Sequence, residues 1–291
     1  MNLAEARRAL GQVSGLDPTQ VRPILGGWAF WTFEVDGRWI FRFPRTDRVA
    51  RALQAEGRLL PELAAAVSFE VPVPHWWGTW KGRPFFGYRK IEGQPLRAAD
   101  VGVRSALLGE LASMVSELHA FPADLARRLL GVEGSVEIWR ARYDDLGALA
   151  LERVAPLVSA STARRLGAAL TSFLGGDFDF TPVLVHGDLG SEHVLIDQAG
   201  PRAVGMIDFE SARVGDPAID FVGLWITLGP DRTTTVLDAY EGPIDDGFAA
   251  RLRAYWWFGS VHAVLYGLDE GRGDIVDDGL RELDRRLSPL G

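Results

Sequence analysis

The sequence contains no cysteine among its 291 residues. Disulfide scaffolds, zinc–thiolate sites and thiol catalysis are therefore excluded, and a reducing cytoplasm is the location that this composition favours. The chain also lacks a long apolar run, because its longest uncharged apolar stretch, residues 254–268, is shorter than the roughly 20 residues that a membrane span needs. We expect this stretch to form a buried helix. The N-terminal residues have no apolar signal core, so a secretory peptide is not expected.

Lysine is almost missing, since Lys81 and Lys90 are the only two and the other basic residues are arginines. A lysine contact to phosphate therefore has two candidates. Acidic and basic residues balance as far as Ile207, so the formal net charge of −8 arises entirely from the residues that follow. An acidic final third disfavours nucleic acid as a partner and suits a cationic small molecule. A solvated acidic surface is the alternative, and it is the more common explanation of a cluster of like charges.

Hydrophobic patterning divides the chain into a small and a large part. Residues 1–90 predict a β-rich unit with a hairpin turn at Asp36-Gly37, a helix around residues 49–63 and a strand over 85–91. A turn at residues 92–95 predicts a hinge. Amphipathic helices are expected over 103–119, 137–151 and 163–174, followed by short buried strands at 183–185, 194–196 and 203–207. The predicted fold is α+β, with a β-rich N-terminal lobe (1–90) and a larger, mainly helical C-terminal lobe (91–291).

The densest polar segment is HGDLGSEH at 186–193, followed by GMIDFE at 205–210. Each half follows a hydrophobic strand, so Asp188, His193 and Asp208 are expected to meet in one cleft. Phosphoryl transfer needs such a set, with one carboxylate that orients an acceptor hydroxyl and further ligands for Mg²⁺. Taken alone the pattern is weak, because a loop aspartate that caps a helix and a buried histidine would look the same.

The order of the motifs is more specific. A glycine turn at Gly26-Gly27 precedes a strand with Arg42, a helix carries Glu56 fourteen residues later, and the hinge, the HGD loop and Asp208 follow. This order resembles the bilobal protein-kinase-like fold and, more closely, the aminoglycoside phosphotransferase family. The 2″-phosphotransferase branch is most similar, with the macrolide 2′-phosphotransferases next. The segments that carry the resemblance are IFRFPR, FFGYRKIEGQPL, SELHA, VLVHGDLGSEHVLID, GMIDFESARVGDPAIDF and YGLDEG.

The resemblance implies a role for each matching residue. Asp188 would be the catalytic carboxylate, and His193 and Asp208 would sit at the Mg²⁺ positions. Arg42 stands where relatives usually place a phosphate-binding lysine, and it would pair with Glu56. The bulky Tyr88 falls at a position that bears on the choice between ATP and GTP. The nucleotide site would comprise Gly26, Gly27, Arg42, Glu56, Tyr88, Arg89 and Ile91.

Residues outside this set have structural explanations or belong to the acceptor site. Asp216, before a proline, is expected to start a helix, and Asp220 is expected to anchor the HGD loop through backbone N–H groups. Aromatic and acidic side chains near one apolar helix suit the ammonium groups of a cationic sugar. The acceptor candidates are Trp256, Tyr266, Asp269 and Glu270.

The sequence therefore predicts a monomeric, cytoplasmic kinase that transfers the γ-phosphoryl group of ATP or GTP, with Mg²⁺, to a hydroxyl of an aminoglycoside-type cationic sugar. No nucleic acid or membrane partner is expected. A macrolide or a cellular metabolite is the alternative acceptor. Two further classes stay open. One is a non-enzymatic nucleotide-binding module, and the other is a metal-dependent hydrolase that uses His186, Asp188, His193 and Asp208.

Overall fold

A five-stranded antiparallel sheet builds the N-terminal lobe, with the strand order β1–β2–β3–β5–β4. The computed structural model describes residues 1–27, 29–97, 100, 106–176, 178–197 and 202–288. The strands of this sheet are β1 (Val21–Ile24), β2 (Phe30–Val35), β3 (Trp39–Pro44), β4 (Pro74–Trp80) and β5 (Arg83–Arg89). Helix α1 (Leu3–Leu10) packs on one face, and helix α2 (Asp47–Ala64) packs on the other.

Strand β3 shows why the two faces differ. Side chains alternate along a strand, so Phe41 and Phe43 pack towards α1 while Ile40 and Arg42 face α2 and the C-terminal lobe. The turn before β3 is the predicted hairpin, since Asp36 and Gly37 have φ values of 53° and 66°. Positive φ at both residues is what a type I′ turn requires.

The C-terminal lobe is mainly helical. Its helices are α3 (Leu107–Ala120), α4 (Ala123–Leu130), α5 (Val136–Leu149), α6 (Ala160–Leu174), α7 (Phe221–Leu228), α8 (Pro230–Asp238), α9 (Phe248–Asp269) and α10 (Gly273–Leu287). Two small antiparallel sheets carry the loops of interest. One contains β6 (Gln94–Pro95), β8 (Val194–Ile196) and β9 (Ala203–Met206), and the other pairs β7 (Val183–Val185) with β10 (Arg213–Gly215).

The predicted α+β fold with a sheet-based N-terminal lobe and a helical C-terminal lobe is confirmed. Helix boundaries differ by a few residues. The expected start of the third helix at Val103 lies outside the described residues, and the helix predicted to reach Leu151 ends at Leu149 and continues as a π-helical turn over Ala150–Val154. Residues 254–268 lie within α9, whose apolar side chains are largely buried. Within the described ranges, no helix combines the length and apolarity that crossing a bilayer requires.

Two of the connections between the lobes run through the backbone. The chain passes from β5 into β6 through residues 90–93, and Glu70 pairs separately with the β9 strand. There the Glu70 N–H donates to the carbonyl of Val204, and the Met206 N–H donates to the carbonyl of Glu70, both at 2.9 Å. A domain boundary between residues 90 and 91 stays a prediction.

Candidate active site

The loop after β7 is held in place by Asp220, a fully buried side chain in the turn before α7. Its carboxylate accepts the backbone N–H groups of His186 at 2.7 Å and Gly187 at 2.8 Å. His119 adds a third contact at 3.1 Å, and its other ring nitrogen lies 2.6 Å from the Tyr240 hydroxyl. The predicted anchoring of the HGD loop by Asp220 is confirmed. Asp216 also caps the following turn, as predicted, by accepting from Ala218 N–H.

Asp188 lies in this loop and opens on a cleft. Within the described part of the chain, no hydrogen-bond donor holds its side-chain carboxylate, whereas its backbone carbonyl lies 2.7 Å from His193 Nδ1. Crowding by the surrounding loop desolvates the carboxyl group and raises the pKa of Asp188 above its ordinary value. The side chain is therefore free to contact a hydroxyl group and has a basicity above that of an ordinary aspartate.

Asp208 follows β9 and lies close enough to Asp188 for its negative charge to act on that carboxyl group. Its φ of 69° is in the left-handed region, which is uncommon for a residue other than glycine. One carboxylate oxygen accepts from Arg42, and the other lies 3.7 Å from His193 Nε2. Burial opposes the charge on Asp208, but Arg42, His193 and His186 together outweigh it, so the pKa of Asp208 lies below the ordinary range. Asp208 is thus ionised near neutral pH.

Arg42 joins the two lobes. Its Nη1 donates to Glu56 Oε1 at 2.6 Å, and its Nη2 donates to Asp208. Burial opposes the charge of Arg42, yet the two carboxylates together outweigh that effect and raise its pKa. Burial raises the pKa of Glu56 to about 7, with Arg42 opposing the shift. The second oxygen of Glu56 is buried and has no hydrogen-bond partner among the described residues.

Asp208 and His193 together suit Mg²⁺, which also takes water and phosphate oxygens as ligands. They suit less well a metal ion whose ligands all come from the protein. Among the described residues, no three His, Asp or Glu side chains gather closely enough to hold a metal ion by themselves. Mg²⁺ keeps several waters and substrate phosphates in its coordination sphere and needs one or two protein carboxylates. Asp208, ionised and partly open, meets that requirement, and His193 lies beside it.

The predicted nucleotide residues lie around the sheet and the hinge. Gly26 and Gly27, in the β1–β2 turn, have φ values of 110° and 73° and open space at the Cβ position. Tyr88 is buried opposite Ile40 of β3, and burial raises the pKa of its hydroxyl. Arg89 ends β5, and Ile91 is buried against Gly205. The N–H between them, of Lys90, donates to the Arg38 carbonyl at 2.8 Å.

The cleft beside Asp188 has a volume of about 820 Å³ and extends between α5, α7 and α9. Helix α9 presents Tyr255, Gly259, His262 and Tyr266 to it, at spacings of three or four residues. Because those spacings define one helix face, the structure brings Tyr266 to the cleft.

The other three acceptor candidates lie elsewhere. Trp256 is one residue past Tyr255, on a different face of α9, where the Arg286 guanidinium lies 5.2 Å from its ring centroid. Asp269 pairs with Arg153 at 2.7 Å, and Glu270 is exposed just after α9. None of these three lines the cleft.

Several cleft residues were missed at the sequence level. Glu192 and Arg142 both line it, as does His262. The helical periodicity of α9 could have indicated His262, which lies four residues before Tyr266. No sequence signal marks Arg142, because α5 reaches the cleft only through the tertiary packing.

Comparison with known proteins agrees with this arrangement. The family model described as "Phosphotransferase enzyme family" (APH) matches residues 20–255. Among curated proteins, viomycin phosphotransferase of Streptomyces vinaceus is 28% identical over 247 residues, which cover 82% of this chain and 84% of that protein. The uncharacterized protein YcbJ of Bacillus subtilis (strain 168) is 26% identical over 220 residues, covering 70% of this chain and 67% of YcbJ.

Solved structures show the same relationship across almost the whole chain. The GDP and kanamycin complex of APH(2″)-IIIa superposes with a TM-score of 0.90 at 27% identity and covers 98% of both chains. Macrolide 2′-phosphotransferase type I has a TM-score of 0.77 at 22% identity, covering 97% of this chain and 98% of that one, and this likeness concerns the fold.

Proposed function

The chain belongs to the phosphotransferase enzyme family, and from this premise we propose that it transfers the γ-phosphoryl group of ATP or GTP to a hydroxyl of an aminoglycoside-type cationic sugar. The observation that carries the proposal is the meeting of two loops at His193, whose Nδ1 lies 2.7 Å from the Asp188 carbonyl oxygen and whose Nε2 lies 3.7 Å from the Asp208 carboxylate. Asp188, with a free carboxylate, comes from the HGD loop, and Asp208, joined to Arg42, comes from the loop after β9. A non-enzymatic binding module would not need this pair.

Asp188 is the group that orients the acceptor hydroxyl and receives its proton. Phosphoryl transfer requires little covalent chemistry from the protein, so positioning and charge stabilisation account for most of the rate. Burial raises the pKa of Asp188 above its ordinary value, which makes its carboxylate a better proton acceptor for the hydroxyl. The buried Asp220 holds the backbone on which Asp188 depends.

Mg²⁺ belongs to the proposal as the cofactor, held by Asp208 and His193. When bound, it supplies positive charge that neutralises the phosphate oxygens. Arg42 contributes positive charge from the protein, and its planar guanidinium can donate two parallel N–H bonds to one phosphate, a geometry that an ammonium group does not offer. Glu56 fixes the orientation of that guanidinium.

The nucleotide site lies between the sheet and the hinge. Gly26 and Gly27 allow the β1–β2 turn to approach the phosphates closely, because they carry no Cβ. Tyr88, Arg89 and Ile91 would border the purine. Two solved structures of the similar APH(2″)-IIIa contain GDP, which supports GTP as a donor beside ATP.

The acceptor class follows from the relatives. APH(2″)-IIIa is described in complex with kanamycin, and the viomycin enzyme is named for another antibiotic. A macrolide or a metabolite is the second candidate, supported by the aromatic walls of the cleft at Trp139, Tyr143 and Phe258. The proposal also includes a monomeric enzyme in the cytoplasm, where nucleoside triphosphates are available.

An acceptor panel tests this function. NDP release is measured with Mg²⁺, ATP or GTP, and a set of aminoglycosides, viomycin and macrolides, for the wild type and Asp188→Ala. We expect acceptor-dependent release that Asp188→Ala abolishes while nucleotide binding and the melting temperature stay nearly unchanged. Wild-type turnover in Asp188→Ala would refute the mechanism, and the absence of acceptor-dependent release with every compound would refute the substrate class.

A further inference from the structure

Phe30, the first residue of β2, lies against the guanidinium of Arg42. The Arg42 Cζ is over the Phe30 ring, 3.9 Å from the ring centroid. In the antiparallel register Arg42 pairs with Thr32, so Phe30 is its diagonal neighbour on the same face of the sheet. Arg45 holds the start of β2, because its Nε donates to the Phe30 carbonyl at 3.1 Å. The position of the ring relative to Arg42 is therefore set by the pairing of β2 with β3.

The short separation fits a guanidinium that lies flat on the ring, because an edge-on guanidinium would drive a nitrogen atom into it. With one face on Phe30, the N–H groups of Arg42 point sideways, and two of them donate to Glu56 and Asp208. Phe30 is 5% exposed and Arg42 is 4% exposed. Water therefore screens this cation–π contact little, and the contact is stronger than one at an exposed site.

The ring and the two carboxylates restrain the guanidinium in different ways. Hydrogen bonds at Nη1 and Nη2 fix two points of its plane, but the plane can still tilt about the line that joins these two atoms. The Phe30 ring opposes that tilt, because it covers one face of the group. Among the residues that the structure describes, the guanidinium makes no further hydrogen bond. Its other N–H groups thus keep a fixed direction and remain available to a ligand.

We propose that Phe30 is a positioning residue for the nucleotide phosphates, which holds the plane of Arg42 so that the remaining N–H groups face the phosphates of the bound nucleoside triphosphate. This inference rests on the proposed function and adds to it a residue that acts through Arg42. An ammonium group has no plane to hold, so the role of Phe30 depends on the arginine at position 42. The ring also follows the glycine turn directly, since β2 begins three residues after Gly27.

Nucleotide binding in the absence of an acceptor tests this role. Calorimetry with Mg²⁺ measures the affinity for AMPPNP and GMPPNP, and competition measures the affinity for adenosine and guanosine, which carry no phosphate. The variants are Phe30→Leu, which removes the aromatic face, and Phe30→Tyr, which keeps it. Phe33→Leu is the matched control, because Phe33 is equally buried on β2 but packs on the other face of the sheet, against Phe43. Phe30→Met, which fills more of the space, is measured in place of a Phe30→Leu variant that does not fold.

We expect Phe30→Leu to weaken binding of the triphosphate analogue about tenfold, because the loss of a buried cation–π contact frees the guanidinium to tilt. Nucleoside binding should change by less than about twofold, since Arg42 contacts phosphate only. Phe30→Tyr should stay within about twofold of the wild type, and Phe33→Leu should leave both affinities unchanged. In an Arg42→Met background, Phe30→Leu should cause no further loss, because the two residues act as a coupled pair.

Equal losses of triphosphate affinity in Phe30→Leu and Phe33→Leu would overturn the inference, since any buried aromatic of β2 would then matter. A parallel loss of nucleoside affinity, or an undiminished effect of Phe30→Leu in the Arg42→Met background, would overturn it as well. A wild type that binds neither analogue would remove both the inference and the proposed function. Nucleotide binding with the expected pattern, but without NDP release for any acceptor, would remove the proposed function alone and support the role of Phe30.

Discussion

The guanidinium of Arg42 donates to Glu56 across 2.6 Å, with only 4% and 1% of the two residues exposed. The pair connects β3 to α2, fourteen residues apart in sequence. Arginine has five N–H donors, so Arg42 can keep Glu56 and still reach Asp208 in the other lobe. A lysine would have to serve both carboxylates from one nitrogen atom.

Removing Arg42 tests how much this pair stabilises the fold. Arg42→Met should lower the free energy of unfolding by about 3 kcal/mol, because Glu56 is left buried without its partner. Urea denaturation measures the loss. The double variant Arg42→Met/Glu56→Leu should recover most of the stability and none of the turnover, since no charge remains buried at this site. Equal stability of the single variant and the wild type would contradict the prediction.

The decrease of kcat/KM at low pH should follow the protonation of Asp188. Its pKa is raised in the folded protein, and the carboxylate must be ionised to accept the hydroxyl proton. As the pH falls through that raised value, kcat/KM should decrease, with a midpoint above the ordinary aspartate pKa of about 3.9. Activity is measured from pH 4 to 8, with circular dichroism at each pH to confirm folding. A rate that stays constant down to pH 4 in folded protein would exclude Asp188 as the titrating base.

Gly223 of α7 tests the packing behind the HGD loop. A Cβ there would overlap the Leu189 carbonyl oxygen and lie 2.8 Å from the Gly190 Cα. Gly223→Ala should therefore displace the loop, lower the stability by about 1–3 kcal/mol and reduce kcat about 100-fold. Gly167→Ala in α6 is the matched control, because among the described residues no atom outside the adjoining helix backbone would lie within 4 Å of the added Cβ. The control should keep full activity and gain up to about 1 kcal/mol. Equal activity of the two variants would show that the loop tolerates the added methyl group.

The buried hydrogen-bonded chain from Tyr240 through His119 to Asp220 should stabilise the fold, and the loss of stability should depend on which member is replaced. Tyr240→Phe leaves one ring nitrogen of His119 unpaired and should cost about 1–2 kcal/mol of stability. Asp220→Ala leaves His119 and two loop N–H groups without an acceptor, so about 3–5 kcal/mol is expected, with loss of turnover. Thr234→Ala, whose hydroxyl bonds only to its own helix, is the control for thermal melts. The prediction fails if Tyr240→Phe destabilises as much as Asp220→Ala.

Local patterns determined the parts of the fold that depend on neighbouring residues. Asp36-Gly37 predicts its hairpin because few residues accept positive φ, and α2 was predicted from apolar residues at helical spacing. The HGD loop could be placed after a buried strand because a short apolar run precedes it in the sequence. Its anchoring by Asp220 followed from the preference of an aspartate for backbone N–H groups.

Only the tertiary structure decided which side chains share the acceptor cleft. Trp256 and Tyr266 lie on one helix. Trp256 packs against Arg286 of α10, whereas Tyr266 lines the cleft. Asp269 is acidic and near the site in sequence, but Arg153 from a distant segment pairs with it. Arg142 enters the cleft because α5 packs there. Contacts between residues far apart in sequence depend on the whole core, and no local pattern contains that information.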